Sequence, residues 1–128
     1  MATQQSTPRS QALNAALGYI SRHLAEKICL SDLSGAAGVS NRTVGYLFLR
    51  TYGVTPMAFV KERRLAKAHR LLQRADPATT TVAGIARSCG FTHMGQFSQD
   101  YKRVIGESPS ATLSRAGGDP GATTPSSM

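Results

Sequence analysis

The stretch Val82-Ala83-Gly84-Ile85-Ala86-Arg87-Ser88-Cys89-Gly90-Phe91-Thr92 repeats the pattern of Leu30-Ser31-Asp32-Leu33-Ser34-Gly35-Ala36-Ala37-Gly38-Val39-Ser40 in register, at an offset of 52. Beyond it, Val44, Phe48, Gly53 and Pro56 correspond to Phe97, Tyr101, Gly106 and Pro109 at an offset of 53. The second copy therefore carries one extra residue just after its turn. One supersecondary unit occurs twice in the chain.

Each copy has the physical pattern of a helix-turn-helix. A short helix, Leu30 to Ala37 or Val82 to Cys89, presents a small residue, Ser34 or Ala86, where a second helix must cross closely. Gly38 or Gly90 follows, where the tight turn asks for positive φ. An apolar residue, Val39 or Phe91, then turns inward, and a hydroxyl residue, Ser40 or Thr92, is suited to cap the next helix. The second helix of the first copy offers Val44, Leu47 and Phe48 to a core; that of the second offers Phe97 and Tyr101. Small-residue turns join helices in many bundles, but two copies with matching glycines, caps, apolar positions and a trailing Gly-x-x-Pro are far harder to obtain by chance.

Outward from the repeat, the remaining segments also read as helical. Leu13, Leu17, Ile20 and Leu24 fall on one stripe of a first amphipathic helix, with Arg22 and His23 off it. The longest uninterrupted segment runs from Pro56, which suits a first helical position, to Arg74, and Asp76-Pro77 ends it. Lys61, Arg63, Arg64, Lys67, Arg70 and Arg74 stud it against a single acid, Glu62, and most of the six are expected to form a solvated face. Alternating β-branched and polar residues are nearly absent. The fold expected is all-α, with two helix-turn-helix units joined by a long central helix, over residues 11–113. The Gly, Pro, Ser and Thr-rich ends, residues 1–10 and 114–128, are expected to be disordered.

At 128 residues the chain is the size of one ordinary domain. Its 15 Lys+Arg against 7 Asp+Glu give a net charge of +8, which argues for a polyanionic partner. No apolar run approaches the ~18 residues of a membrane helix, and residues 1–10 do not read as a secretory signal, so a cytoplasmic location is expected. The two cysteines, Cys29 and Cys89, can build neither a disulfide scaffold nor, without CxxC or His-Cys spacing, a zinc site. His23, His69 and His93 share no spacing with each other or with the cysteines, and no carboxylate pair, phosphate loop or nucleophile elbow is present. No enzyme activity, metal or cofactor is expected. A nonspecific nucleic-acid-binding or protein-interaction module fits the composition equally well, but leaves the duplication unexplained.

The carrying residues resemble the DNA-binding domain of AraC/XylS-type transcription regulators. They are Leu33-Ser34 through Gly38-Val39-Ser40, then Arg64-Leu65-x-x-Ala68-x-x-Leu71-Leu72. The second block is Val82-x-x-Ile85-Ala86-x-x-Cys89-Gly90-Phe91-x(5)-Phe97-x(3)-Tyr101-Lys102-x(3)-Gly106-x-x-Pro109-Ser110. The resemblance covers about residues 13–113. It implies seven helices and two recognition helices, about 41–52 and 93–104, entering successive major-groove segments of double-stranded DNA. RNA polymerase is a further candidate partner, and the effector-sensing domain common in such activators is absent from this chain. Family members commonly carry an arginine two residues before the aromatic of each recognition helix. Here Tyr46 and Gln99 stand there, Gly45 and Gly95 leave two outward positions bare, and Asp100 places a carboxylate on the second helix.

Base reading in such a motif uses side chains near the helix start, and phosphate contacts use cations or amides that flank them. The base-reading candidates are Asn41, Arg42 and Tyr46 in the first unit and His93, Met94, Gln96 and Gln99 in the second. Arg42 can pair with guanine, Gln96 and Gln99 suit adenine, and Met94 suits a thymine methyl. Phosphate candidates are Ser40, Arg50, Thr92, Lys102 and Arg103. The central segment, 19 residues at 1.5 Å each, is about 28 Å long, which predicts recognition helices near one DNA turn apart.

Overall fold

Gly38, Gly53, Gly90 and Gly106 hold positive φ, at +72°, +74°, +96° and +98°, and no other described residue type does so. These are the four glycines that the repeat places at its turns and helix ends, so the backbone follows the duplicated sequence. The computed structural model describes residues 7–117. Its helices are α1 (Pro8–Arg22), α2 (Leu30–Ala37), α3 (Asn41–Tyr52), α4 (Pro56–Arg74), α5 (Val82–Ser88), α6 (Met94–Ile105) and α7 (Pro109–Gly117). Among the described residues there is no strand, as the all-α reading requires.

Hydroxyl side chains start most of these helices. Thr7, Ser40, Thr55, Thr81 and Ser108 each accept a backbone N–H three residues on, at 3.0–3.1 Å. Each satisfies one of the amides that a helix start leaves without a partner. At α2 the roles are reversed: Cys29 N–H donates to the Asp32 carboxylate at 2.8 Å. The helix α6 departs from expectation. Its N-cap is His93, without a side-chain cap bond, and Thr92 lies one residue outside. The extra residue after the second turn moves the hydroxyl off the capping position, where it pairs instead with His93 Nδ1 at 2.9 Å.

The chain forms two compact units, Met1–Arg63 and Arg64–Met128. In the first, α1, α2 and α3 enclose Leu33, Val44 and Phe48 with Phe59 and Val60 from the start of α4. Phe48 meets Phe59 edge-on, with centroids 5.3 Å apart at 69°. Each large apolar side chain so buried contributes roughly 1.5–3 kcal/mol. The buried stripe of α1 is Ala12, Ala16 and Ile20, with the expected Leu13, Leu17 and Leu24 half-buried at its edge.

In the second unit the rest of α4 supplies Leu65, Ala68 and Leu72 to a core closed by Ala86, Cys89, Phe97, Tyr101 and Leu113. Phe97 packs between Phe91 and Tyr101, with centroid distances of 4.6 and 5.6 Å. Ala86 is fully buried, as its place at a close helix crossing predicts.

Two domain boundaries are corrected. The helix α1 begins at Pro8, capped by Thr7, so residues 8–10 are ordered; α7 continues to Gly117, past the expected end at 113. Burial of Thr112 and Leu113 and the pairing of Arg115 with Glu107 account for that extension. The disorder expected of residues 1–6 and 118–128 lies outside the described residues.

Candidate nucleic-acid interface

Burial decides which side of each second helix is free. In α3, Val44, Leu47 and Phe48 are turned into the core. Arg42, Tyr46 and Leu49, four and three residues apart, lie on the opposite side of the helix. Tyr46 keeps 47% and Leu49 53% of their surface exposed, large values for aromatic and aliphatic residues. Asn41 and Arg42 are exposed at the helix start beside the Ser40 cap, whose hydroxyl also donates to Thr43 Oγ1 at 3.0 Å.

Tyr46 is gripped by two guanidinium groups. Arg50 Nη1 donates to its hydroxyl at 3.2 Å, and the Arg50 guanidinium carbon lies 6.0 Å from the ring centre. That of Arg9, from the first turn of α1, lies 5.8 Å from the same centre. Each such contact is worth only about 0.5–1 kcal/mol at an exposed site. Together they gather two positive charges around the exposed phenol of α3.

In α6, Phe97 and Tyr101 face inward and Gln96, Ser98, Gln99, Lys102 and Arg103 are exposed. The last turn carries the cations Lys102 and Arg103, and the first turn carries no acid. Met94 is corrected as a base-reading candidate. It sits three and seven residues before Phe97 and Tyr101 on the same stripe, and its side chain packs against the second core. Gln96 and Arg103 are both engaged: each donates to Asp100 Oδ1, at 3.1 and 2.9 Å. Asp100 itself is 5% exposed.

Two residues of this surface, Arg9 and Leu49, and the burial of Asp100 beneath it escaped the sequence reading. Arg9 fell in a segment expected to be disordered. Leu49 would have been found by counting three onward from Tyr46 on the outward stripe. The burial of Asp100 had no signal in a sequence position flanked by Gln99 and Lys102.

Among the described residues no three His, Cys, Asp or Glu side chains come together to hold a metal. The Cys89 thiol is fully buried, and burial raises its pKa, so it is a core residue and not a nucleophile. Among the described residues no helix is long and apolar enough to cross a membrane.

Comparison with known proteins fits this geometry. The family profile described as "Helix-turn-helix domain" matches residues 33–115. The probable thc operon regulatory protein of Rhodococcus erythropolis is 38% identical over 98 residues, covering 77% of this chain and 30% of its own. Among solved structures, a probable AraC family transcriptional regulator from Rhodopseudomonas palustris CGA009 is 42% identical with a TM-score of 0.73. That match covers 82% of this chain and 96% of the other. The DNA-binding domain of AdpA, a global transcriptional factor solved in complex with a target DNA, is 28% identical with a TM-score of 0.74. There the coverage is 84% of this chain and 96% of the other. The chain spans between 30% and 40% of the length of the first curated relatives it matches.

Proposed function

The chain belongs to the AraC family of helix-turn-helix transcription regulators, and from that premise we propose that it binds double-stranded DNA sequence-specifically, setting α3 and α6 into successive major-groove segments. The family is one of transcription regulators and not of enzymes. The observation that carries the proposal is the sidedness of the two helices. Each is pinned by aromatic residues on its inner side and offers, on its outer side, side chains with the donors and acceptors that base edges require.

In this reading Arg42 addresses guanine, with Asn41 beside it, and Tyr46 and Leu49 supply apolar contact for thymine methyls. Gln96 and Gln99 address adenine from α6, with His93 at the helix start. Arg50 and Lys102 neutralise phosphates that flank the groove, and Ser40 and Thr92 stand at the helix starts where amides meet phosphate oxygens. Transcription control also needs a route from operator to polymerase, so RNA polymerase is proposed as the protein partner.

A binding selection from a random duplex library tests the proposal. The expected outcome is one enriched sequence, bound more tightly than bulk duplex DNA and with strong salt dependence. If ~6 phosphates are neutralised, log affinity falls against log salt with a slope near −5. Binding without an enriched sequence would leave a nonspecific module; a flat salt response would remove nucleic acid from the reading.

A further inference from the structure

Asp100 is the single acid of α6, in a chain of net charge +8, on the helix proposed to enter the major groove. A carboxylate facing phosphates would repel them, and on that ground alone it would weaken binding. The structure gives it a different position. Asp100 is buried, and its Oδ1 accepts from Gln96 Nε2 and from Arg103 Nη2. Gln96, Asp100 and Arg103 lie four and three residues apart, so they form one stripe along the helix. Both donors are exposed, with the Arg103 side chain 65% accessible.

We propose that Asp100 is the specificity-setting residue of the second unit, holding the Gln96 amide in a fixed orientation and Arg103 back from the phosphates. This rests on the DNA-binding reading above. A glutamine that reads adenine must offer one donor and one acceptor with defined geometry. With Nε2 committed to Asp100, its remaining N–H and its carbonyl oxygen have fixed directions. An arginine held by an ion pair gives less sequence-independent grip than a free one, because its charge is already balanced. The buried carboxylate thus lowers nonspecific affinity and sharpens base reading through the same oxygen.

The test compares the wild-type chain with Asp100→Asn, Gln96→Ala and the double variant. Affinities are measured on the duplex enriched by selection and on a random-sequence duplex of equal length, across a salt series. Asp100→Asn is expected to tighten binding to the random duplex and to steepen its salt slope by about 0.9, the signature of one added phosphate contact. Preference for the selected duplex should drop roughly tenfold, the scale of one well-made base contact. In the Gln96→Ala background the same substitution should lower that preference no further.

Two further variants read the same device with Asp100 intact, should Asp100→Asn fold poorly. Arg103→Gln should leave the salt slope nearly unchanged, whereas Lys102→Gln should reduce it by about 0.9. Equal slopes for these two, or a folded Asp100→Asn with unchanged preference and slope, overturn the proposal while leaving the DNA-binding reading intact. Failure of the wild-type chain to bind either duplex overturns both.

Discussion

The Tyr101 hydroxyl donates to Thr112 Oγ1 at 2.8 Å, so its oxygen is left to accept from His69 Nδ1, 2.9 Å away. A phenol has one proton to give, and this arrangement fixes His69 with a proton on Nδ1. Thr112 in turn donates to Glu107 Oε2 at 2.5 Å, and Arg115 forks onto both Glu107 oxygens. The chain of bonds ties α4, α6 and α7 of the second unit together through one buried hydroxyl. Tyr101→Phe removes that hydroxyl and strands two polar groups. It should cost about 1–3 kcal/mol in chemical denaturation while leaving helix content unchanged.

The Arg115 guanidinium, and after it the Thr112 hydroxyl, hold the Glu107 carboxyl down to about 2. A depressed carboxylate stabilises the fold above its unfolded pKa, near 4.3, and this contribution is lost as pH falls through the folded value. Comparing melting temperatures of the wild-type chain and Glu107→Gln across pH is the check. The wild-type advantage should be constant above about pH 5 and should close between about pH 4.5 and 2. A gap that persists at pH 2 would show that the carboxylate charge is not its source.

Packing and reading should separate cleanly by mutation. Phe97 and Phe48 are buried within their cores, so replacing either by alanine should cost roughly 3–5 kcal/mol. Ile85, only half-buried, should cost less, toward 2 kcal/mol. Arg42→Ala, on an exposed position, should change stability by no more than about 0.5 kcal/mol while weakening binding to the selected duplex. Thermal melts set beside affinity measurements test this, and a large loss of stability for Arg42→Ala would place that residue in the core.

The two units are tandem and non-identical in sequence, so one chain offers two different readers. One chain should cover an asymmetric site of roughly two turns, about 20 base pairs. Nuclease footprinting on the selected duplex, with the stoichiometry measured in parallel, reads this out. An obligate dimer on a palindrome would contradict it. If only one half of the site is sequence-sensitive, the weaker half is expected to belong to the first unit, where Gly45 and Tyr46 leave Arg42 nearly alone as a base reader.

The repeat made the fold legible because its signals are local. Glycine at a positive-φ turn and a hydroxyl at a helix start act within a few residues, and Gly38, Gly90, Ser40 and Thr81 all take the roles such residues suit. Thr92 did not, since a one-residue insertion moves a cap without altering the residue pattern around it. The site was legible only in outline. Helical counting separates Arg42 from Val44 and sets Met94 on the inner stripe with Phe97 and Tyr101, but it cannot tell that Asp100 is buried or that Arg9 reaches Tyr46. Those facts depend on residues distant in sequence or on side-chain rotamers, which periodicity does not encode.

Two of the bonds that close the second unit run forward along the chain: Tyr101 donates to Thr112, and Glu107 accepts from Arg115. A ribosome therefore delivers α6 before the Thr112 and Arg115 side chains that close this network. At about 5–20 residues per second, the interval from residue 101 to residue 115 lasts on the order of one to three seconds. The first unit, whose residues end at Arg63, has by then been synthesised and folds first. The nascent polypeptide passes through a stage in which the first unit is complete and the second still lacks α7, and the codons for residues 109–117 supply it.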